Sequence, residues 1–337
     1  MIEQFIQETF ANTSGWNALL AVVIGAMLFT LSLGADKLVE GAVDAARDLG
    51  LPKIIIGATI VSLGTTSPEV AVSVMAAFQG KPGLAIGNGV GSVICNVSLI
   101  LGLAIVLSRI PIHRRYVGIQ SSIMLGTALL LMAFAWGSPT KTITRPMGIV
   151  MVLLLAVYLY GTYVLARRTS GQSESASVVE AVEEIPDVTL AQNFVKIIGG
   201  LAVLILSSKA LIPSVSLAAV RIGIPEAVIA ATLVAFGTSL PELMTAISAV
   251  RKGHPELTLG NILGANALNV LFVIGLSAIA VPLKVEPVFY HIQGPMMTFM
   301  LALFLIYSLT TRGAFRRWQG VSLLALYVFF VVVQYFG

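Results

Sequence analysis

The sequence predicts an all-α integral membrane protein of ten transmembrane helices, built as two inverted five-helix repeats. Three observations carry that reading. Of the 337 residues, 57% are hydrophobic and only 11% are charged. A soluble domain carries about 25% charged residues, so this chain has too little polar material to cover a water-soluble surface. Mean hydropathy is +0.94. The apolar residues gather into ten runs, each near the roughly 20 residues that cross a hydrocarbon core as a helix. Finally, one stretch of the chain occurs twice.

The predicted spans of the first half are 17–36, 52–79, 84–107, 117–136 and 146–166. Those of the second are 194–213, 225–250, 257–281, 291–311 and 318–335. Between them lies one clearly polar connector, rich in Ser and Glu. The expected organisation is a first repeat over 1–166, a solvated linker over 167–192 and a second repeat over 193–337. The N-terminal segment is acidic and lacks the basic stretch of a cleaved signal, so the first span is expected to be retained.

The duplicated stretch covers GATIVSLGTTSPEVAVSVMAAFQGKPGLAIGNGVGSVICN (57–96) and AATLVAFGTSLPELMTAISAVRKGHPELTLGNILGANALN (230–269). The offset is 173 without a gap, and 15 of 40 positions are identical. Chance similarity between greasy segments matches Leu and Val. Here the matches include Thr65/Thr238, Pro68/Pro241, Glu69/Glu242, Asn88/Asn261 and Asn96/Asn269, which points to internal duplication. Five spans per half is an odd number, so consecutive halves enter the membrane from opposite sides, an arrangement common in secondary transporters. With the N-terminus outside, 14 Lys and Arg fall on the inner side and 6 on the outer. That bias places both termini outside and the linker in the cytoplasm. Lacking organelle signals, the chain is expected in the plasma membrane of a prokaryote.

Glu69 and Glu242 sit inside predicted spans. A carboxylate at bilayer depth is costly unless it has a partner. Two at equivalent places in inverted halves are expected to meet near the midplane. Two nearby carboxylates repel, so the pair holds either a proton or a cation. The alternative is a protonated pair that merely bonds across helices. Each Glu ends a motif, GTTSPE or GTSLPE, that puts Gly and Pro mid-span. Proline breaks the helical ladder four residues back, and backbone freed at membrane depth is tolerated where it lines a site. Thr65, Thr66, Thr238 and Ser239 add hydroxyls. On the next spans, Asn88, Ser92 and Asn96 recur every four residues along one helix face, as do Asn261, Ala265 and Asn269. Asn96 and Asn269 are the expected site members, while Asn88 and Asn261 sit where they could cap. An all-oxygen donor set suits hard ions such as Ca²⁺ and Na⁺. Asp36, near the end of the first span, reads as a gate or as a boundary charge in water.

Other classes find no support. The basic residues lie between spans as topology signals, so no nucleic-acid partner is implied. One cysteine, Cys95, and three histidines build neither a disulfide nor a Cys/His metal site. There is no Ser-His or Cys-His pairing and no HExxH, so an enzyme is not expected. No resident cofactor is expected beyond the bound ions, and no obligate protein partner is inferred, consistent with a monomer in the lipid bilayer.

The paired motifs, each followed by GNxxGxxxxN, resemble the alpha repeats of the cation/Ca²⁺ exchanger superfamily, nearest to prokaryotic sodium/calcium antiporters. The resemblance covers nearly the whole chain. It implies Na⁺/Ca²⁺ exchange by alternating access, with spans two, three, seven and eight around the ions and spans one and six sliding as a gate. It implies that Glu69 and Glu242 ligate Ca²⁺ and Na⁺. Thr65 and Thr238 would give oxygens, Thr66 and Ser239 would help form Na⁺ sites, Ser62 and Ala235 would give carbonyls, and Asn96 would lie centrally. Asn269 stands where the archaeal pattern often has Asp, and Ala265 where it has Ser, so the family's stoichiometry is not carried over. Proton-coupled Ca²⁺ or cation antiport through the same carboxylates is the alternative.

Overall fold

The computed structural model describes residues 17–173, 190–221 and 237–336. Its helices follow the predicted spans in order: α1 (Asn17–Asp48), α2 (Lys53–Phe78), α3 (Pro82–Leu107), α4 (Arg114–Gly137) and α5 (Arg145–Ser173) in the first half. The second half holds α6 (Leu190–Arg221), α7 (Leu240–Arg251), α8 (Pro255–Ala280), α9 (Phe289–Thr310) and α10 (Arg317–Phe336). Among the described residues, all but α7 are long and apolar enough to cross a membrane. The first part of the seventh span lies outside the described residues. Of the linker, 167–173 continues α5 and 190–192 begins α6; the rest lies outside them as well.

The inversion is visible in how α1 meets α6. Thr30 bonds Ser207 at 2.8 Å, Gly34 faces Gly200, and Lys196 pairs with Asp44 at 2.8 Å. Asn193 donates to Asp48 at 2.7 Å. As numbers rise on one helix they fall on the other, so these equivalent helices run antiparallel, as an inverted repeat requires.

The bundle has two chemically different ends. At one, ion pairs join α1 to α6 and α7 and join α2 to α8: Asp44–Lys196, Glu40–Lys252 at 2.8 Å and Lys53–Glu256 at 3.5 Å. Lys53 also donates to His254 at 2.9 Å; burial first, and the Lys53 charge next, hold that imidazole below its ordinary pKa. At the other end a short antiparallel ribbon pairs β1 (Thr142–Ile143) with β2 (Leu283–Lys284). Apolar side chains such as Phe29, Val157, Ile198 and Val328 stay exposed on the outer helices, where lipid is their solvent.

The first span needs correction. It was expected to stop at 36, leaving Asp36 at a boundary. Instead α1 runs to Asp48, because its acidic residues find partners on α6 and α7. Asp36 therefore lies inside the helix, half-buried, accepting a bond from Ser248 of α7.

At the centre, α2 and α8 approach backbone to backbone. A Cβ on Gly260 would stand 1.9 Å from the Ile54 carbonyl oxygen, and one on Gly264 2.4 Å from that of Ala58. Gly260 and Gly264, four apart, thus form a contact surface. Gly87, the counterpart of Gly260, is less tightly packed: a Cβ there would meet Gln293 at 3.9 Å. Substituting G260A should destabilise the protein by about 1–3 kcal/mol through overpacking. G199A, whose added Cβ meets nothing within 4 Å, should not. Thermal unfolding of both variants in detergent checks this: G260A alone should lower the midpoint.

Candidate functional site

The helical ladder of α2 stops at Thr66, which has φ −79° and ψ −7°, and restarts at Ser67 with Pro68 in the new first turn. The same break falls at Ser239, with φ −88° and ψ 8°, ahead of Pro241. Proline is tolerated in a first turn because its missing N–H has no intrahelical partner there. Glu69 and Glu242 consequently each occupy the first turn of a half-helix, where the backbone N–H groups favour negative charge.

Both glutamates are fully buried and lie within electrostatic range of each other. Neighbours are exchanged between the halves. Thr238 and Ser239 stand beside Glu69, while Thr65 stands beside Glu242. Each broken turn therefore supplies the carboxylate of its own half and hydroxyls to the other's.

A reciprocal pair of bonds fixes that arrangement. Thr238 donates to Asn88 Oδ1 at 3.0 Å, and Thr65 donates to Asn261 Oδ1 at 3.3 Å. Asn88 and Asn261, read from sequence as possible caps, thus tie each broken turn to the opposite repeat. Neither lies at its helix N-cap; those positions are Lys81 and His254.

The symmetry fails where the sequences differ. Asn88 Nδ2 donates to Ser73 Oγ at 2.9 Å and to the Glu69 carbonyl at 3.3 Å. Asn261 has Ala246 in place of Ser73, and its Nδ2 has no partner among the described residues. Ser239 donates to Ser92 at 3.3 Å. Thr66 has Ala265 in place of that serine, and its hydroxyl is unpaired.

Asn96 and Asn269 lie on π-helical turns, Cys95–Ile100 of α3 and Asn269–Ile274 of α8. Such turns are rare and frequent at functional sites. The two asparagines and two glutamates are completely buried, and none of their eight side-chain oxygen and nitrogen atoms makes a hydrogen bond among the described residues. Buried polar groups are ordinarily paired. Of the other predicted residues, Ser62 is buried with its carbonyl accepting the Thr66 N–H at 2.9 Å. Ala235 lies outside the described residues. Sequence reasoning missed Ser73, which anchors Asn88, and Thr245, buried with an unpaired hydroxyl one turn beyond Glu242. The unequal residues at 73 and 246 were a readable signal for the first.

Chemically, the site offers two carboxylates, hydroxyls and amide oxygens, and among the described residues no group of three His, Cys, Asp or Glu side chains. That set suits hard, oxygen-seeking cations. Beside it, a cavity of about 360 Å³ opens toward the ribbon end, lined by Pro68, Met75, Gln79, Lys209, Thr238 and Pro241.

Antiparallel equivalent helices, paired broken helices and a buried acidic pair define a secondary transporter of the inverted-repeat class. The chain belongs to the sodium/calcium exchanger protein family, whose profile matches residues 19–164 and 193–336. That membership makes it a membrane antiporter rather than an enzyme. It is similar to the inner membrane protein YrbG of Escherichia coli, 31% identical over 93% of this chain and 95% of that one. Sodium/calcium exchanger MaX1 of Methanosarcina acetivorans is 30% identical over 92% and 96%. Among solved structures, the sodium-calcium exchanger NCX_Mj soaked with zero Na⁺ and Ca²⁺ superimposes with a TM-score of 0.78, at 26% identity over 94% of this chain and 99% of that one.

The missing partner of Thr66 yields a prediction. A265S should supply it, reproducing the Ser239–Ser92 bond in the other half. A net hydrogen bond contributes about 1 kcal/mol, so the thermal midpoint should rise. An unchanged or lower midpoint would show that the two halves do not pack equivalently here.

Proposed function

We propose that this protein exchanges Na⁺ for Ca²⁺ across the plasma membrane by alternating access, binding the ions between Glu69 and Glu242. The observation that carries this reading is the pair of wholly buried carboxylates, flanked by unpaired asparagines, at crossed breaks of two inverted helices. Two negative charges in low dielectric are stable only with compensating positive charge. One Ca²⁺ supplies it, and so do several Na⁺, but a full set of both exceeds it. The empty, doubly charged site resists closure, which enforces exchange over leak. Names of relatives support the choice of ions: MaX1 and NCX_Mj are both sodium/calcium exchangers.

The ligands of this reading are Glu69, Glu242, Thr65, Thr66, Thr238, Ser239, Ser62, Ser92, Asn96, Asn269 and Ala235. The two repeats are 1–166 and 193–337, joined by a cytoplasmic linker over 167–192, with both termini outside. The excess of basic residues assigns the ion-pair end to the cytoplasm. The cavity beside the site then opens outward, and the contacts of α1 with α7 close the inward side. Asn269 in place of an acid leaves fewer titratable groups at the site, which favours Na⁺ over H⁺ as the coupling ion.

Radiolabelled Ca²⁺ uptake into proteoliposomes tests this. An outwardly directed Na⁺ gradient should drive accumulation. E69Q and E242Q should each reduce it about a hundredfold or more, the equivalent of roughly 3 kcal/mol of ion binding. Uptake driven by a pH gradient without Na⁺ would make the coupling ion a proton. Full activity in both variants would remove the proposed site.

A further inference from the structure

One face of α7 carries a polar stripe from the centre of the bundle to its ion-pair end. Glu242, Thr245, Ser248 and the C-cap residue Lys252 follow at intervals of three, three and four, which keeps them on one side of the helix. Ser248 donates to Asp36 and Lys252 to Glu40, both on α1. Thr245, between the central acid and Ser248, is fully buried with its hydroxyl unpaired. Six residues of helix put Ser248 about 9 Å from Glu242 along the axis.

The repeat lets this stripe be compared with its counterpart. At the 173 offset, Glu242, Thr245, Ser248 and Lys252 become Glu69, Val72, Met75 and Gln79. Asp36 and Glu40 become Lys209 and Pro213 of α6. The Asp36–Ser248 contact therefore maps onto Lys209 and Met75, and both of these line the outward cavity. One pathway is open, apolar and carries a base. The other is closed, polar and carries acids. Duplication alone would have made them alike.

We infer that Asp36, with Ser248 and Thr245, forms a second subsite for the transported hard cation, on the cytoplasmic pathway only. In the present conformation Asp36 accepts the Ser248 hydroxyl and holds α1 against α7. When those helices separate, the same carboxylate meets the cation leaving or approaching Glu242. This rests on the antiport reading and its topology.

The test compares D36N with the unaltered protein in everted and right-side-out membrane vesicles. Asparagine keeps an oxygen for Ser248 and removes only the charge. In everted vesicles, which present the cytoplasmic face, the half-saturating Ca²⁺ concentration should rise about three- to tenfold. In right-side-out vesicles it should not change. The rise should persist in high choline chloride, which screens diffuse surface charge but not a half-buried ligand. An equal rise on both faces, a rise only on the outer face, a rise abolished by salt, or no rise would overturn the subsite. Failure of the antiport reading would show separately, as absent Na⁺-driven Ca²⁺ flux in the unaltered protein.

Discussion

Two carboxylates held in the dry centre of a membrane protein constrain everything around them. Moving a carboxylate from water into low dielectric carries a penalty of several kcal/mol even after relaxation, and a second carboxylate within electrostatic range adds to it. The protein offsets part of this through geometry. Each glutamate sits in the first turn of a half-helix, with a hydroxyl-bearing turn from the opposite repeat beside it. It does not complete the offset, since among the described residues no lysine or arginine pairs with either acid and all four oxygens remain unbonded. A site built that way has positive charge as its natural complement, and the α2–α8 glycine contact gives it a rigid frame.

Symmetry supplies the means and its departures supply the direction. The reciprocal Thr–Asn bonds could arise only from duplicated motifs facing each other across an inversion. Ser73 against Ala246 and Ser92 against Ala265 then leave Asn88 and Ser239 bonded, while their counterparts Asn261 and Thr66 keep an unpaired polar atom each. Further from the centre, Asp36 bonded to Ser248 stands where the other half has Lys209 lining a cavity. Each departure is a single residue, and each changes what an ion would meet on one side of the membrane.

Much of this was legible in the sequence. Apolar run length located the helices, because hydrocarbon thickness dictates it. The fixed offset exposed the inversion, and mid-span Pro-Glu marked the breaks. What the sequence concealed depended on contacts between distant segments. The extension of α1 to Asp48 is held by Lys196, more than 150 residues away, so the sequence left Asp36 as either a gate or a boundary charge. Asn88 and Asn261 looked like caps because their Thr partners belong to the other repeat. The π-turns beneath Asn96 and Asn269 shift backbone bonding by one residue and leave no mark in hydropathy. Thr245 carries no sequence signal, since an isolated threonine in an apolar helix commonly bonds its own backbone; among the described residues its hydroxyl has no partner.

The proposal stands or falls on whether Glu69 and Glu242 together bind a cation. Calorimetric titration of Ca²⁺ into the purified protein, with the double variant E69Q/E242Q beside it, measures that binding without requiring transport. Ca²⁺ should bind saturably and be displaced competitively by Na⁺, with no binding in the double variant. Undiminished Ca²⁺ binding after both charges are removed would contradict the proposal.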